Sequence, residues 1–217
     1  MRFREPFDDL FGRRSNVALL RHLVLYRREA TGRELARSVG LDPKTCHDSL
    51  RDLERQKVVD RRRIGTAMLY SLRTEQPVVR AVLEPAFEWE RTLLDRYARE
   101  LRELLGPQAL SIFLFGSTAK GTEDANSDID LLVVSRDRTA EAVDAKSDDA
   151  ASRLIDVHGR FPQIIVMDAR DFTLKFMKGD SFLMEILRTG RLLDGLQVHE
   201  ILKHGRAKSR RRRGSRG

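Results

Sequence analysis

One stretch constrains this 217-residue chain more than any other: Leu110 to Val134, Leu-Ser-Ile-Phe-Leu-Phe-Gly-Ser-Thr-Ala-Lys-Gly-Thr-Glu-Asp-Ala-Asn-Ser-Asp-Ile-Asp-Leu-Leu-Val-Val. It reads as an apolar strand, a tight Gly-Ser turn, a polar loop and a second strand carrying two acids. Leu110, Ile112, Phe113, Leu114 and Phe115 form one short apolar run, closed by Gly116. Ile129 and Leu131 to Val134 form the other, opened by Asp128 and Asp130. Short apolar runs bounded by turn residues suit buried strands better than helices.

The spacing of the acids sets the chemistry. Side chains alternate along a strand, so Asp128 and Asp130 point one way and Ile129 points into the core. Two carboxylates on one face repel each other unless a cation offsets them, and their oxygens suit magnesium. Gly116 lets another backbone approach closely. Ser117 is expected to cap a helix begun by Thr118, Ala119 and Lys120, whose free N–H groups and lysine charge would face a phosphate.

An Asp-x-Asp at a strand end is by itself an ordinary solvated face, and a Gly-Ser pair an ordinary turn. Joined at this spacing they are far more specific. Gly116-Ser117, ten residues, then Asp128-Ile129-Asp130 resembles the signature of the minimal (MNT) branch of the DNA polymerase β nucleotidyltransferase superfamily. That branch includes antitoxins paired with HEPN toxins. The resemblance implies a nucleotidyltransferase fold, Mg2+, ATP or another NTP as substrate, and a HEPN-type toxin as partner. It implies catalytic and metal roles for Asp128 and Asp130, and nucleotide contacts for Gly116, Ser117 and Lys120. It also implies a third carboxylate on a later strand, where this chain has Gln163 in Gln163-Ile164-Ile165-Val166-Met167. Glutamine keeps the shape of the acid but cannot act as a base. Asp168 lies on the opposite face of that strand by alternation.

Composition bounds the rest. One cysteine, Cys46, excludes an intramolecular disulfide and suits a reducing cytoplasm. No apolar run approaches a membrane span, and the N-terminus lacks the apolar core of a signal peptide. The net charge of +8 hides a division. Residues 1–76 hold 17 basic and 11 acidic residues, and residues 203–217 hold eight basic and no acidic ones. The region between carries the acidic excess, so different parts of the chain suit different partners.

Residues 1–14 read as a loose arm, with Phe3, Phe7, Leu10 and Phe11 covering the body. Ser15 is the expected N-cap of a helix from Asn16 to about Glu29. Thr31 and Glu34 make a capping box for a second helix ended by Gly40, and Pro43 opens a third that runs to about Gln56. Val58 to Leu72 reads as a β-hairpin turning at Gly65-Thr66. This order resembles a winged helix-turn-helix domain of the transcription-regulator type over Asn16 to Arg73. The resemblance implies DNA binding, with Lys44, Thr45, His47, Arg51 and Arg55 on the groove-facing helix and Arg61, Arg62 and Arg63 of the wing on phosphates. It also implies a homodimer.

Pro77 opens a long helix to Leu105, with a break expected near Glu84 because Pro85 cannot donate within a helix. Trp89 is expected to pack. A single helix is expected from about Thr139 to His158, then the Gln163 strand, helices near Asp171–Met177 and Ser181–Arg188, and a short strand at Arg191–Leu193. The Arg- and Lys-rich end cannot bury a core and is expected to be disordered.

The chain therefore reads as α+β: a winged helix domain (1–76), a linker helix (77–106), a nucleotidyltransferase domain of small mixed sheet flanked by helices (107–202), and a basic tail (203–217). The expected function is transfer of a nucleoside monophosphate from an NTP to a protein or other hydroxyl, coupled to DNA binding. The alternative is a transcription regulator whose nucleotide pocket is degenerate.

Overall fold

A computed structural model of the chain describes residues 4–124 and 127–213, the stretch 206–213 by its backbone alone. Phe3, Ala125, Asn126 and the last four residues, on which some of the expectations above fall, lie outside the described residues. The architecture is mixed α+β, in two units that divide between Thr92 and Leu93.

In the first unit the arm is itself a short helix, α1 (Pro6–Phe11), anchored by fully buried Leu10 while Phe7 and Phe11 stay exposed. Helix α2 (Arg14–Tyr26) starts one residue before the expected cap. Arg13 takes the N-cap position without a side-chain cap, and Ser15 instead accepts a 2.7 Å hydrogen bond from the Ser49 hydroxyl. Arg27 ends α2 early by turning left-handed. A two-residue strand β1 (Ala30–Thr31) leads into α3 (Gly32–Val39), where Thr31 and Glu34 close the expected capping box and Gly40 ends the helix at φ 68°. Helix α4 (Pro43–Arg55) begins with Pro43 in its first turn, and Asp42 caps the N–H groups of Lys44 and Thr45. Strands β2 (Val59–Ile64) and β3 (Ala67–Leu72) turn over Gly65-Thr66, and the sheet order is β1-β3-β2. Leu19, Leu20, Leu23, Leu35, Leu50 and Leu53 are fully buried in the core between these elements.

The break near Glu84 takes the form of a π-helical turn, Val79–Leu83, ahead of α5 (Glu84–Leu105). The segment 77–106 is not a free-standing connector. Val79, Leu83 and Phe87 belong to the first unit's core, and Tyr97, Ala98, Leu101 and Leu105 to the second's. Trp89, expected to pack, is 52% exposed.

The second unit is built on a four-stranded mixed sheet. Strand β4 (Ala109–Phe115) leads directly into α6 (Gly116–Lys120) and returns as β5 (Ile129–Ser135). The expected single helix is two, α7 (Ala140–Asp144) and α8 (Ser147–His158), because the Ser147 hydroxyl takes the Asp144 carbonyl at 2.6 Å and restarts the chain. Then follow β6 (Pro162–Asp168), α9 (Ala169–Lys178), α10 (Ser181–Thr189), β7 (Arg191–Gly195) and α11 (Val198–Arg213). The sheet order is β6-β5-β4-β7, with β5 parallel to β6 and the other pairs antiparallel.

Alternation divides the sheet into two faces. Ile112, Leu114, Leu131 and Val133 bury themselves with Tyr97, Leu101 and Leu154. Phe113, Leu132 and Val134 bury themselves with Phe172, Leu183, Ile186 and Ile201. Helix α11 is seated on α9 through Gly205, where a Cβ would meet the Thr173 hydroxyl at 2.3 Å. The backbone therefore stays helical to Arg213, where composition alone led to a disordered tail. Among the described residues no helix is long and apolar enough to cross a membrane.

Candidate active site and nucleic-acid interface

In the second unit the two acids leave the end of β5 on the face that carries Leu132 and Val134, while Ile129 is buried on the other. Antiparallel pairing sets Phe115 opposite Asp130, so the chain turns at Gly116 directly beside the Asp130 carboxylate. Gly116 has φ 71°, and a Cβ there would stand 1.8 Å from Oδ2 of Asp130. Glycine is required on two counts: the left-handed backbone and the absence of room. Asp128 is exposed and Asp130 half-buried. Partial burial, and then the charge of Asp128, push the Asp130 carboxyl above its ordinary pKa.

On β6 the parallel register sets Gln163 directly across from Asp130. Its exposed side chain shares the face of the two acids, which is the place the third carboxylate was expected to occupy. Asp168 cannot replace it. It pairs with Ser135 at the far end of the strand, and its carboxylate caps α9 by accepting from the Asp171 N–H at 2.8 Å. Among the described residues, no three His, Cys, Asp or Glu side chains are grouped to hold a metal.

Ser117 is not the helix cap. β4 runs straight into α6, so Phe115 takes the N-cap position with no side-chain cap, and Ser117 lies inside the first turn. Thr118 donates to the Asp128 carbonyl at 3.5 Å, tying α6 to the start of β5. The loop after α6 is folded on itself by Asp124 and Ser127, and Arg160 donates to the Asp124 carbonyl at 2.9 Å. Lys120, at the end of α6, pairs with Glu185 on α10 at 3.3 Å. Phe182, one turn before Glu185, packs edge-on against Phe115 at 5.8 Å. Glu185, Phe182 and Arg160 are therefore neighbours of the site that no sequence motif signalled, being separated by up to 67 positions from the residues they touch.

In the first unit, Lys44, His47 and Arg51 are exposed on α4, Thr45 is half-buried, and Cys46 faces inward. The remaining expected contacts are differently placed. Arg55 pairs with Asp52, Arg61 with Glu54 and Arg62 with Glu29, while Arg63 donates to the Gly65 carbonyl at 3.0 Å. Two of the three wing arginines are thus ion-paired, because acids from α4 and from the turn after α2 reach them.

Comparison with known proteins bears on the second unit most directly. Residues 94–190 match the family described as nucleotidyltransferase domain. MJ1305 of Methanocaldococcus jannaschii, which carries the provisional name protein adenylyltransferase, is 32% identical over 85 residues. Those residues make up 38% of this chain and 58% of that protein, so the chain spans little more than half of the relative's length. Among solved structures, a toxin–antitoxin crystal structure with AMP-PNP is 21% identical, covering 56% of this chain and 91% of that one, with a TM-score of 0.37. Rv0081 of M. tuberculosis is 33% identical, covering 42% of this chain and 89% of that one, with a TM-score of 0.34.

Proposed function

We propose that the second unit transfers a nucleoside monophosphate from a nucleoside triphosphate, ATP first among them, to a hydroxyl acceptor, and that the first unit couples this activity to DNA. The observation that carries the reading is the face shared by Asp128, Asp130 and Gln163, with the Gly116 backbone pressed against Asp130. The family match over residues 94–190 supports the reaction class. The name borne by MJ1305 supports an adenylyl group and a protein acceptor.

The donor set fits Mg2+. Asp128 and Asp130 offer two hard oxygens on one side, and their mutual repulsion is the condition a divalent cation relieves. Gln163 would lend a neutral carbonyl oxygen. Held there by Asp128 and Asp130, the ion would offset the negative charge that develops on the phosphates. Gly116, Ser117 and Lys120 would hold the phosphates. The acceptor oxygen attacks the α-phosphorus in line, the bond to the β-phosphate bridging oxygen breaks, and pyrophosphate leaves. Gln163 cannot take the acceptor's proton, so it passes to water or to an acid of the acceptor. A tyrosine of a HEPN-type toxin is the acceptor to test first, on the strength of the Gly-Ser…Asp-x-Asp resemblance. We take Lys44, Thr45, His47 and Arg51 as the DNA-facing residues and the working protein as a homodimer.

The test is titration calorimetry of the full chain with ATP and the other nucleoside triphosphates, with and without Mg2+, beside an Asp128→Asn, Asp130→Asn variant. Magnesium-dependent binding, lost in the variant, is the expected result. Transfer of α-phosphate label from ATP to the acceptor then tests the chemistry. Gln163 favours one other reading, a DNA-binding regulator with a degenerate pocket. Absence of binding by any triphosphate would select it.

A further inference from the structure

The Lys120–Glu185 pair is the only polar contact drawn from α6 to α10 among the described residues. Both side chains are about half exposed, at 47% and 55%, and the separation is 3.3 Å. Ion pairs of that exposure contribute little to stability, because solvent screens them and ordering two long side chains costs entropy. The pair is therefore easily exchanged. Glu185 also has a second cation, Arg188, at 3.8 Å on its own helix, so its charge stays offset if Lys120 departs. Helix α10 does not depend on the pair for its seat. Leu183 and Ile186 are buried, and the Phe115–Phe182 edge contact lies on the same side of α10, one turn before Glu185.

Lys120 sits four residues beyond Gly116, about 6 Å of helix rise. Its flexible four-carbon stem lets the ammonium swing from α10 toward the turn that abuts Asp130. We infer that Glu185 is a competitor for the site's cation: it stores Lys120 in the empty pocket and yields it to the phosphates of an incoming nucleotide, so that it sets the affinity threshold for that nucleotide. This rests on the nucleotide-binding reading above. A polyphosphate, carrying several negative charges, outbids a single carboxylate for Lys120, whereas a monophosphate does so less well. Breaking the pair counts only against a ligand that captures Lys120, so Glu185 lowers the affinity for the triphosphate more than that for a nucleoside monophosphate.

The experiment compares Mg-ATP and AMP titrations of the full chain as wild type, Glu185→Gln, Lys120→Met and the double variant, with melting temperatures as the folding control. Glu185→Gln is expected to bind Mg-ATP about two- to fivefold more tightly and to gain less for AMP. In the Lys120→Met background the same change is expected to do nothing, as coupling of the two side chains requires. Unchanged or weaker binding by Glu185→Gln, with wild type binding normally, would overturn the competitor role and leave the nucleotide reading intact. Binding by Glu185→Gln alone would uphold both. Binding by neither would remove both.

Discussion

Gln163 and Asp130 face each other across the parallel β5–β6 pair, one strand spacing apart and on one side of the sheet. An acid at position 163 would complete a three-carboxylate site, with no change of backbone. Gln163→Glu is therefore expected to tighten Mg2+ binding by about tenfold, since a charged oxygen replaces a neutral one. It is also expected to speed nucleotidyl transfer by on the order of 10²-fold, the usual range for a positioned base. Metal titration by calorimetry and pyrophosphate release measure the two effects separately. Weaker Mg2+ binding by the variant would place Gln163 outside the metal's reach.

The same crowding of charge makes the empty site costly. Asp130 has its carboxyl held above the ordinary value, first by partial burial and then by Asp128. A raised native pKa means the folded chain holds the proton at pH values where the unfolded chain has lost it. The contribution of Asp130 to stability is therefore greater at low pH and falls as pH rises through the unfolded and then the folded value. Asp130→Asn removes this dependence. Without metal it is expected to melt about 1 to 3 °C higher at neutral pH. The difference should vanish near pH 3, where both forms are neutral. Thermal melts in a chelator across that range provide the check.

Gly116→Ala tests the close approach on the other side of the same carboxylate. The added Cβ meets Asp130 Oδ2 at 1.8 Å and must also hold φ near 71°. A destabilisation of more than about 1 kcal/mol is expected by denaturant unfolding, with loss of magnesium-dependent nucleotide binding. A variant that melts normally and binds normally would mean that the turn has room the geometry denies it.

On the first unit, α4 and the wing should behave differently. Arg51 and Lys44 stand in none of the ion pairs among the described residues, whereas Arg61 and Arg62 are matched by Glu54 and Glu29. Arg51→Ala is expected to weaken DNA binding roughly tenfold and to lower the slope of log affinity against log salt by about 1. Arg62→Ala should change both much less, because Glu29 holds the guanidinium through both carboxylate oxygens, a stronger grip than a single-contact pair. Fluorescence anisotropy with operator-length duplexes at several salt concentrations separates the two.

Gly205→Val asks what holds α11. Its side chain would collide with the Thr173 hydroxyl and with the Ala169 carbonyl, which would stand 2.6 Å from a Cβ at this position. Undocking of α11 is expected, seen as protease cleavage after Lys203 and a lower melting temperature.

Local chemistry made much of this legible. Thr31 with Glu34, Gly40, Pro43 and Gly65-Thr66 each act over two to four residues, and the structure places the capping box, the C-cap, the helix start and the hairpin turn where they specify them. Alternation likewise put Asp128 and Asp130 on one face, and the family resemblance pointed to Gln163 as the position across from them. What escaped was long-range or competitive. Glu185 reaches Lys120 from 65 positions away and Glu29 reaches Arg62 from 33. Ser117 has the right chemistry for a cap, but β4 enters α6 without a break and Phe115 takes the position. The gap between α7 and α8 carries neither Gly nor Pro, and only the Ser147 hydroxyl marks it. The exposure of Trp89 has no signal in its neighbours.

Strand β5 lies in the interior of the sheet, and every residue from Leu131 to Ser135 is buried. Amide protons of such a strand exchange only when the surrounding unit opens as a whole. Asp130 sits at the near end of that strand, one residue from its slowest stretch. The backbone of Asp130 is therefore anchored in the most protected part of the unit, and this carboxylate is in place before any ligand arrives.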